Sequence, residues 1–203
     1  MSSFVVDLQN EITDPNCDII NVLRKAHLIA AKLKLTEFDA WIQGELGGYS
    51  YRETDSIPEY RKVKGVLKAL NPYQGWIPAQ CADDELEKAI CERKLWQSIA
   101  ELKELYNQSK SGVILFQFPA GQAEFIAKMF DTPVPMQFAL HISTHYIKSI
   151  EEQIKNCLLE WTIRLEAEGI VGEGLLFSDS EKKRAQSIPQ TINNYYGNTI
   201  IKD

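Results

Sequence analysis

Several features that usually announce a protein's chemistry are missing from this sequence of 203 residues. No apolar run approaches the roughly eighteen residues of a membrane-spanning helix. Cys17, Cys81, Cys91 and Cys157 show no CxxC spacing and no companion histidine pattern, so we expect free thiols and neither a zinc nor a thioredoxin-like site. Neither the Walker spacing nor GxGxxG after a strand is present, which argues against a phosphate-binding loop.

Basic residues are outnumbered by acidic ones, 22 to 28, and there are 3 histidines. The formal net charge of −6 argues against general nucleic-acid binding. His141 and His145 are four residues apart but lie on either side of a predicted strand-to-helix boundary, so we expect no metal site. The first residues carry an early acidic pair and no long apolar core, so we expect no secretory signal. The sequence therefore predicts a cytoplasmic protein without a cofactor.

A pair of helices is the clearest feature that the sequence does contain. The first is predicted from apolar residues at steps of three and four, with Asp18 as N-cap: Ile19, Leu23, Ala26, Ala30 and Leu33. The second is predicted to begin at Thr36, whose hydroxyl would form a capping box with Asp39. Its apolar face contains Phe38, Trp41, Ile42 and Leu46. The short connection between the two helices predicts an antiparallel or sharply crossed pair.

Glu45 is the exception on the apolar face of the second helix. A buried carboxylate needs a cationic or hydrogen-bonding partner, and Arg61 is the first candidate. Glu45 is therefore a structural salt-bridge residue, a residue at the edge of the face in water, or a functional carboxylate, since perturbed carboxylates gather at functional sites. Gly47 or Gly48 is expected to end the helix in a left-handed conformation, and Gly44 to permit close backbone packing.

The rest of the chain predicts an α+β fold, mainly helical with a small antiparallel sheet. A basic strand from Arg61 to Leu70 is followed by a turn and a returning strand. Val113 to Phe118 and the alternating residues 136–142 predict two further strands. The longest helix is predicted to end at Gly169 and carries apolar residues at steps of three and four: Ile147, Ile150, Ile154, Leu158, Trp161 and Leu165.

The composition becomes polar after residue 170. Residues 1–170 are expected to form one domain, 171–187 a polar linker or short helix, and 188–203 a C-terminal strand. A terminal strand needs an edge to pair with, either in the domain's own sheet or in another copy of the protein. The polar separation favours the second solution, a homo-oligomer joined through Ile192, Tyr195, Tyr196 and Ile200.

A family resemblance is carried by residues 3–68, in the segments DLQ, LRKA, AKL, EF, W, ELGGY and IPEYRKVKG. The pattern resembles the AbiTii domain, and looser resemblance continues to about Gly169. This family is associated with bacterial abortive infection and other conflict systems. The resemblance implies a role in anti-phage defence and brings no established reaction. If the family has a functional cluster, its members here are Trp41, Glu45, Tyr49, Tyr60 and Arg61.

Functions of different classes fit these residues. The first is an effector or interaction module of a defence system, assembled through the C-terminal strand and working with other defence proteins. The second is an enzyme toxin in which Glu45 is a general base or a nucleic-acid-cleaving carboxylate and Arg61 stabilises developing negative charge, with Tyr60 or Tyr49 placing the substrate. The third is a sensor of a small nucleotide signal, with Tyr49, Tyr60, Lys62 and Lys64 as ligand-binding residues. No motif decides whether the chain is an enzyme.

Overall fold

The computed structural model describes residues 3–52, 54–81, 83–130, 136–188, 190–194 and 197–201. The chain divides into two compact units: Met1–Tyr60 with Trp96–Leu102 and Ser149–Asp203, and Arg61–Leu95 with Lys103–Lys148. The boundaries at residues 170 and 187 stay predictions. None of the helices in the described ranges is long and apolar enough to cross a membrane.

Helices and short antiparallel strands make up an α+β fold, as the sequence predicts. The helices are α1 (Phe4–Thr13), α2 (Ile19–Leu33), α3 (Thr36–Gly47), α4 (Asp84–Cys91), α5 (Ile99–Gln108), α6 (Ala120–Phe130), α7 (His145–Ala167) and α8 (Asp179–Ser187). The strands are β1 (Lys62–Lys64), β2 (Val66–Asn71), β3 (Gly75–Pro78), β4 (Glu92–Lys94), β5 (Val113–Gln117), β6 (Gln137–Ser143), β7 (Gln190–Asn194) and β8 (Gly197–Ile201).

The core of the first unit is built around α2 and α3. The apolar stripe predicted for α2 is fully buried, and the Asp18 carboxylate accepts the Ile20 N–H at 3.1 Å as the predicted N-cap. Phe38 of α3 packs its ring on Trp161 of α7, with centroids 4.5 Å apart. Burial of these apolar faces stabilises α3, because an isolated helix of this length is only marginally stable in water.

The capping box predicted for α3 is wrong. Leu35, fully buried, occupies the N-cap position and has no side-chain cap bond. Lys34 before it adopts a left-handed conformation with φ 61°, which turns the chain from α2 directly into α3. Asp39 instead bonds to His27 Nδ1 and to Gln43 Nε2. Packing of Leu35 therefore overrides the local capping preference of Thr36.

The second unit contains a four-stranded antiparallel sheet of order β3-β2-β6-β5. Leu67 pairs with Leu140, and Ala69 pairs with Phe138, whose ring stacks on Phe130 of α6 at 5.0 Å. The predicted single strand from Arg61 to Leu70 is divided at Gly65, where a Cβ would stand 2.4 Å from Leu140 Cγ. Residues before Gly65 form β1, which pairs with β4 in a separate two-stranded sheet.

The C-terminal segment contains two strands, where the sequence predicted one. Strands β7 and β8 pair with each other as an antiparallel hairpin, from Gln190 opposite Ile201 to Asn194 opposite Gly197. Helix α8 precedes the hairpin, as expected for a short helix within residues 171–187. Tyr195 and Tyr196 lie outside the described residues.

Candidate functional site

Helix α3 positions the buried carboxylate that the sequence singled out. Trp41 and Glu45 are four residues apart and therefore share one face of the helix. The Glu45 side chain is fully buried, and Trp41 is 5% exposed. A carboxylate in this environment needs hydrogen-bond donors, because burying it without them costs several kcal/mol.

Tyrosine hydroxyls supply donors to Glu45. The Tyr60 hydroxyl donates to Glu45 Oε1 at 2.6 Å, and the Tyr49 hydroxyl donates to the same oxygen at 2.7 Å. The Tyr60 oxygen in turn accepts the Trp41 Nε1–H at 2.8 Å. Trp41, Glu45, Tyr49 and Tyr60 thus form one hydrogen-bonded group, called here the hydroxyl–carboxylate cluster. Chains of this kind reinforce each other, since each bond polarises the next.

Gly44 makes room for one member of this cluster. A Cβ at Gly44 would stand 2.5 Å from Cε1 and 2.8 Å from Cζ of Tyr49, well inside the distance of any real contact. The tyrosine ring therefore lies directly on the backbone of α3. This confirms the close packing predicted for Gly44 and explains why α3 tolerates a residue of low helix propensity.

The end of α3 fixes the backbone of Tyr49. Gly48 ends α3 as one of the two predicted glycines, and its N–H donates to the Gly44 carbonyl at 2.8 Å. Its φ of +86° and ψ of 168° lie outside the left-handed helical conformation that the sequence predicts. A Cβ at Gly48 would lie 3.0 Å from the Trp96 carbonyl oxygen. Tyr49 N–H donates to that same oxygen at 2.7 Å. Segment 96–98 thus holds Tyr49 where its hydroxyl reaches Glu45.

Arg61, the predicted partner of Glu45, belongs to the second unit. Its side chain is fully buried, and Nη1 donates to the Leu95 carbonyl at 2.9 Å. The Leu95 N–H returns a bond to the Arg61 carbonyl at 2.9 Å, so both the backbone and the side chain of Arg61 hold Leu95. The pairing of Arg61 with Glu45, and a catalytic role for either residue, stay predictions.

The lysines predicted to bind a ligand lie on β1. Lys62 and Lys64 are exposed on either side of buried Val63. Lys62 Nζ is 2.9 Å from Glu92 Oε2, and this hydrogen bond lowers the pKa of the Glu92 carboxyl below its usual value. Tyr49 and Tyr60 belong to the first unit and both lysines to the second, so a nucleotide pocket containing all of them stays a prediction.

Within the described ranges, no group of three or more His, Cys, Asp or Glu side chains is placed to hold a metal ion. His141 is in β6 and His145 begins α7, on either side of the predicted boundary. Burial, with a smaller contribution from the charge of Lys68, lowers the pKa of His141 below its usual value.

The hydroxyl–carboxylate cluster consists chemically of a carboxylate acceptor with hydroxyl donors. Of the two donors, Tyr49 is the half-buried one.

The sequence did not indicate that tyrosine hydroxyls are donors to Glu45. The available signal was the spacing of Tyr49 four residues after Glu45, which puts a hydroxyl within reach of the carboxylate when the chain turns back at Gly48. Tyr60 is fifteen residues from Glu45 and gives no such local signal.

Comparison with known proteins gives a family and no individual relative. The AbiTii family model matches residues 3–190, which include every member of the hydroxyl–carboxylate cluster. No curated protein and no solved structure matches the chain. The family name suggests a protein related to abortive-infection defence.

Proposed function

The chain belongs to the AbiTii family, and from this premise we propose that it is a defence component acting as an interaction module, assembled through its C-terminal hairpin. The observation that supports assembly is the pairing of β7 with β8. Among the described residues these two strands form a sheet of their own. A two-stranded hairpin is at best marginally stable in water, and three or more strands are needed for independent stability.

A second copy of the chain offers the simplest additional strand. Each outer edge of the hairpin presents backbone N–H and C=O groups, and an identical edge on another copy can pair with them. Ile192 is opposite Thr199 and Ile200 is opposite Thr191 in the hairpin register. Ile192, Tyr195, Tyr196 and Ile200 remain the proposed contact residues of this assembly.

The hydroxyl–carboxylate cluster favours a structural role for Glu45 over an enzymatic one. Glu45 has no exposed surface, and its Oε1 already accepts two hydrogen bonds. A general base must come within hydrogen-bond distance of the proton that it abstracts, which requires an open approach to the carboxylate. The cluster is better suited to holding α3, the 48–50 turn and Tyr60 in fixed positions.

The assembly proposal is tested by replacing residues 190–201 with a glycine-serine segment of the same length. We expect the molecular mass from light scattering to fall and protection against phage plaquing to be lost, while the thermal unfolding midpoint changes little. The matched control is the same length of glycine and serine appended after residue 203 of the intact chain. An unchanged mass in the replacement variant would contradict assembly through the hairpin.

The enzyme alternative is tested in the same assays by Glu45→Gln, which keeps an acceptor oxygen for both tyrosine hydroxyls. We expect this variant to keep its mass and much of its protection. A folded Glu45→Gln protein of unchanged mass that no longer protects would instead favour the enzyme toxin with Glu45 and Arg61 in catalytic roles.

A further inference from the structure

A tight turn at residues 173–176 exposes two consecutive leucines. Glu173 and Leu176 exchange backbone hydrogen bonds, at 3.0 Å from the Glu173 N–H and 3.1 Å from the Leu176 N–H. Gly174, the first of the two central residues, has φ +59°. Leu175 is 53% exposed and Leu176 is 75% exposed. This element, residues 173–176, is called the leucine turn below.

The base of the leucine turn is held from one side by the start of α1. Val5 N–H donates to the Val171 carbonyl at 3.2 Å, and the Ser3 hydroxyl donates to the same oxygen at 2.9 Å. Gly172 has φ +67°, and a Cβ there would stand 2.9 Å from the Phe177 ring, so the backbone is closely packed. These contacts give the turn a defined position on the first unit.

Helix α8 holds the base from the other side. Glu181 Oε1 accepts the N–H groups of Val171 and Gly172 at 3.1 and 3.0 Å, while Oε2 accepts the N–H and the hydroxyl of Ser178, each at 2.8 Å. Anchors on both sides of the turn reduce the conformational entropy that binding would otherwise cost. Exposed leucines on an ordered turn are therefore well suited to recognition.

A groove of about 520 Å³ adjoins the leucine turn. Of its apolar lining residues, Phe4 and Leu8 of α1 are buried, and Leu175 is the exposed one. This volume is in the range of pockets that accept one or more large apolar groups. The groove and the leucine turn form one surface next to the N-terminal half of α1, and its exposed apolar part is Leu175 with Leu176.

The ionisable groups around this surface are mainly acidic. Asp7, Glu11 and Lys25 line the groove, and the Lys25 ammonium pairs with the Glu11 carboxylate. Glu173, at the base of the leucine turn, is exposed and adds a further carboxylate. The exposed carboxylate of Glu173 favours a cationic partner and disfavours an anionic lipid surface.

We propose that the groove and the leucine turn form a docking surface for a segment of another protein, one with large apolar side chains flanked by lysine or arginine. The apolar side chains pack against Leu175 and Leu176 at the edge of the groove, and the cationic groups lie near the exposed Glu173. This surface uses none of the residues of the C-terminal hairpin. It therefore gives the defence component a contact with a different protein that is independent of self-assembly.

The test is selection of a randomised twelve-residue peptide library, displayed on phage, against the full chain. Peptides that also bind the Leu175→Ser/Leu176→Ser variant are removed in a counter-selection. We expect enriched sequences with at least two large apolar residues, enriched lysine or arginine, and few acidic residues. A synthetic peptide of the consensus sequence should bind the double variant about tenfold more weakly than the wild type.

Matched variants distinguish peptide binding at this surface from non-specific hydrophobic binding. Phe125→Ser removes an apolar side chain of similar exposure from α6 and should leave the peptide affinity unchanged. Glu173→Gln should weaken binding about two- to fivefold at low salt and less at high salt, because exposed charges are screened. Glu85→Gln, which removes an exposed carboxylate from α4, should have no such effect.

Three results would overturn the proposal. The first is a selection without enrichment, and the second is a consensus peptide that binds wild type and double variant equally. The third is a lower molecular mass for Leu175→Ser/Leu176→Ser, which would show that a second copy of this chain occupies the surface. Replacement of residues 190–201 should leave peptide binding intact, so a failure of the assembly proposal is distinguishable from a failure of this one.

Discussion

Glu45 and Glu181 are two carboxylates of the first unit that connect separate segments through different kinds of donor. Glu45 is fully buried and accepts the side-chain hydroxyls of Tyr49 and Tyr60. Glu181 is half-buried and accepts backbone N–H groups from Val171, Gly172 and Ser178. Any residue type except proline would offer the same N–H at the positions of Val171 and Ser178, whereas only a few side chains could replace the tyrosines.

This difference determines how each connection responds to substitution and to pH. The Glu45 connection depends on the identity of its donors, and it loses bonds when either tyrosine changes. The Glu181 connection depends on the charge of its acceptor. Burial raises the pKa of Glu181, but the hydrogen bonds from Ser178, Gly172 and Val171 outweigh that effect and lower the pKa below 4.5.

The largest effect is expected from Glu45→Ala. Loss of the carboxylate leaves the hydroxyls of Tyr49 and Tyr60 without their acceptor and opens a cavity beside Trp41. The free energy of unfolding should fall by about 2 to 4 kcal/mol, measured by urea denaturation. Glu37→Ala changes an exposed glutamate of the same helix and should cost less than about 0.5 kcal/mol. Equal losses for the two variants would show that the cluster does not stabilise α3.

An intermediate effect is expected from removing single hydroxyls. Tyr60→Phe should lower the free energy of unfolding by about 2 kcal/mol, because it leaves the buried Trp41 N–H unpaired as well as removing a donor to Glu45. Tyr49→Phe should cost about 1 kcal/mol, since water reaches this half-buried side chain. Tyr73→Phe, at a side chain 93% exposed, provides the control without effect. A larger loss of unfolding free energy for Tyr49→Phe than for Tyr60→Phe would contradict this prediction.

The smallest effect is expected from Glu181→Gln, and it depends on pH. The folded-state pKa of Glu181 lies below that of the unfolded chain, so ionised Glu181 stabilises the fold above about pH 4.5 and this contribution disappears as pH falls through the folded-state value. Wild type should be more stable than Glu181→Gln at pH 7, by less than about 1 kcal/mol because solvent screens the group. Thermal unfolding midpoints at pH 7 and pH 3 measure the difference.

For this pH dependence, Glu168→Gln is the matched control, since Glu168 is an exposed glutamate at the neighbouring helix end. It should differ from wild type by the same small amount at both pH values. A stability gap between wild type and Glu181→Gln that widens toward pH 3 would contradict the sign of the pKa shift.

Local pattern was sufficient for the helices and glycines near the cluster. The apolar stripe of α2, the Asp18 cap, the packing role of Gly44 and the glycine that ends α3 could all be predicted from the sequence. Each depends on residues within one or two helical turns, where backbone geometry alone fixes which positions are neighbours.

The failures involve competition between local and distant contacts. The helix begins at Thr36 as predicted, but the capping box suggested by the spacing of Thr36 and Asp39 does not form, because buried Leu35 occupies the N-cap position. The run from Arg61 to Leu70 has the composition of one strand, but Leu140 leaves space only for glycine at residue 65 and the run is divided there. In both cases a contact in the core overrides a local preference, because burying an apolar side chain contributes more free energy than one helix cap or one strand position.

The sequence by itself determined the amphipathic helices, the antiparallel α+β class and the unusual placement of Glu45 on an apolar face. Only the tertiary structure decided which donors satisfy that carboxylate, since Tyr60 approaches it from fifteen residues away and Trp96 positions Tyr49 from a segment further along the chain. Periodicity is a property of neighbouring residues and can be read locally. The partners of a buried charge are fixed by packing, which brings together segments that no local pattern connects.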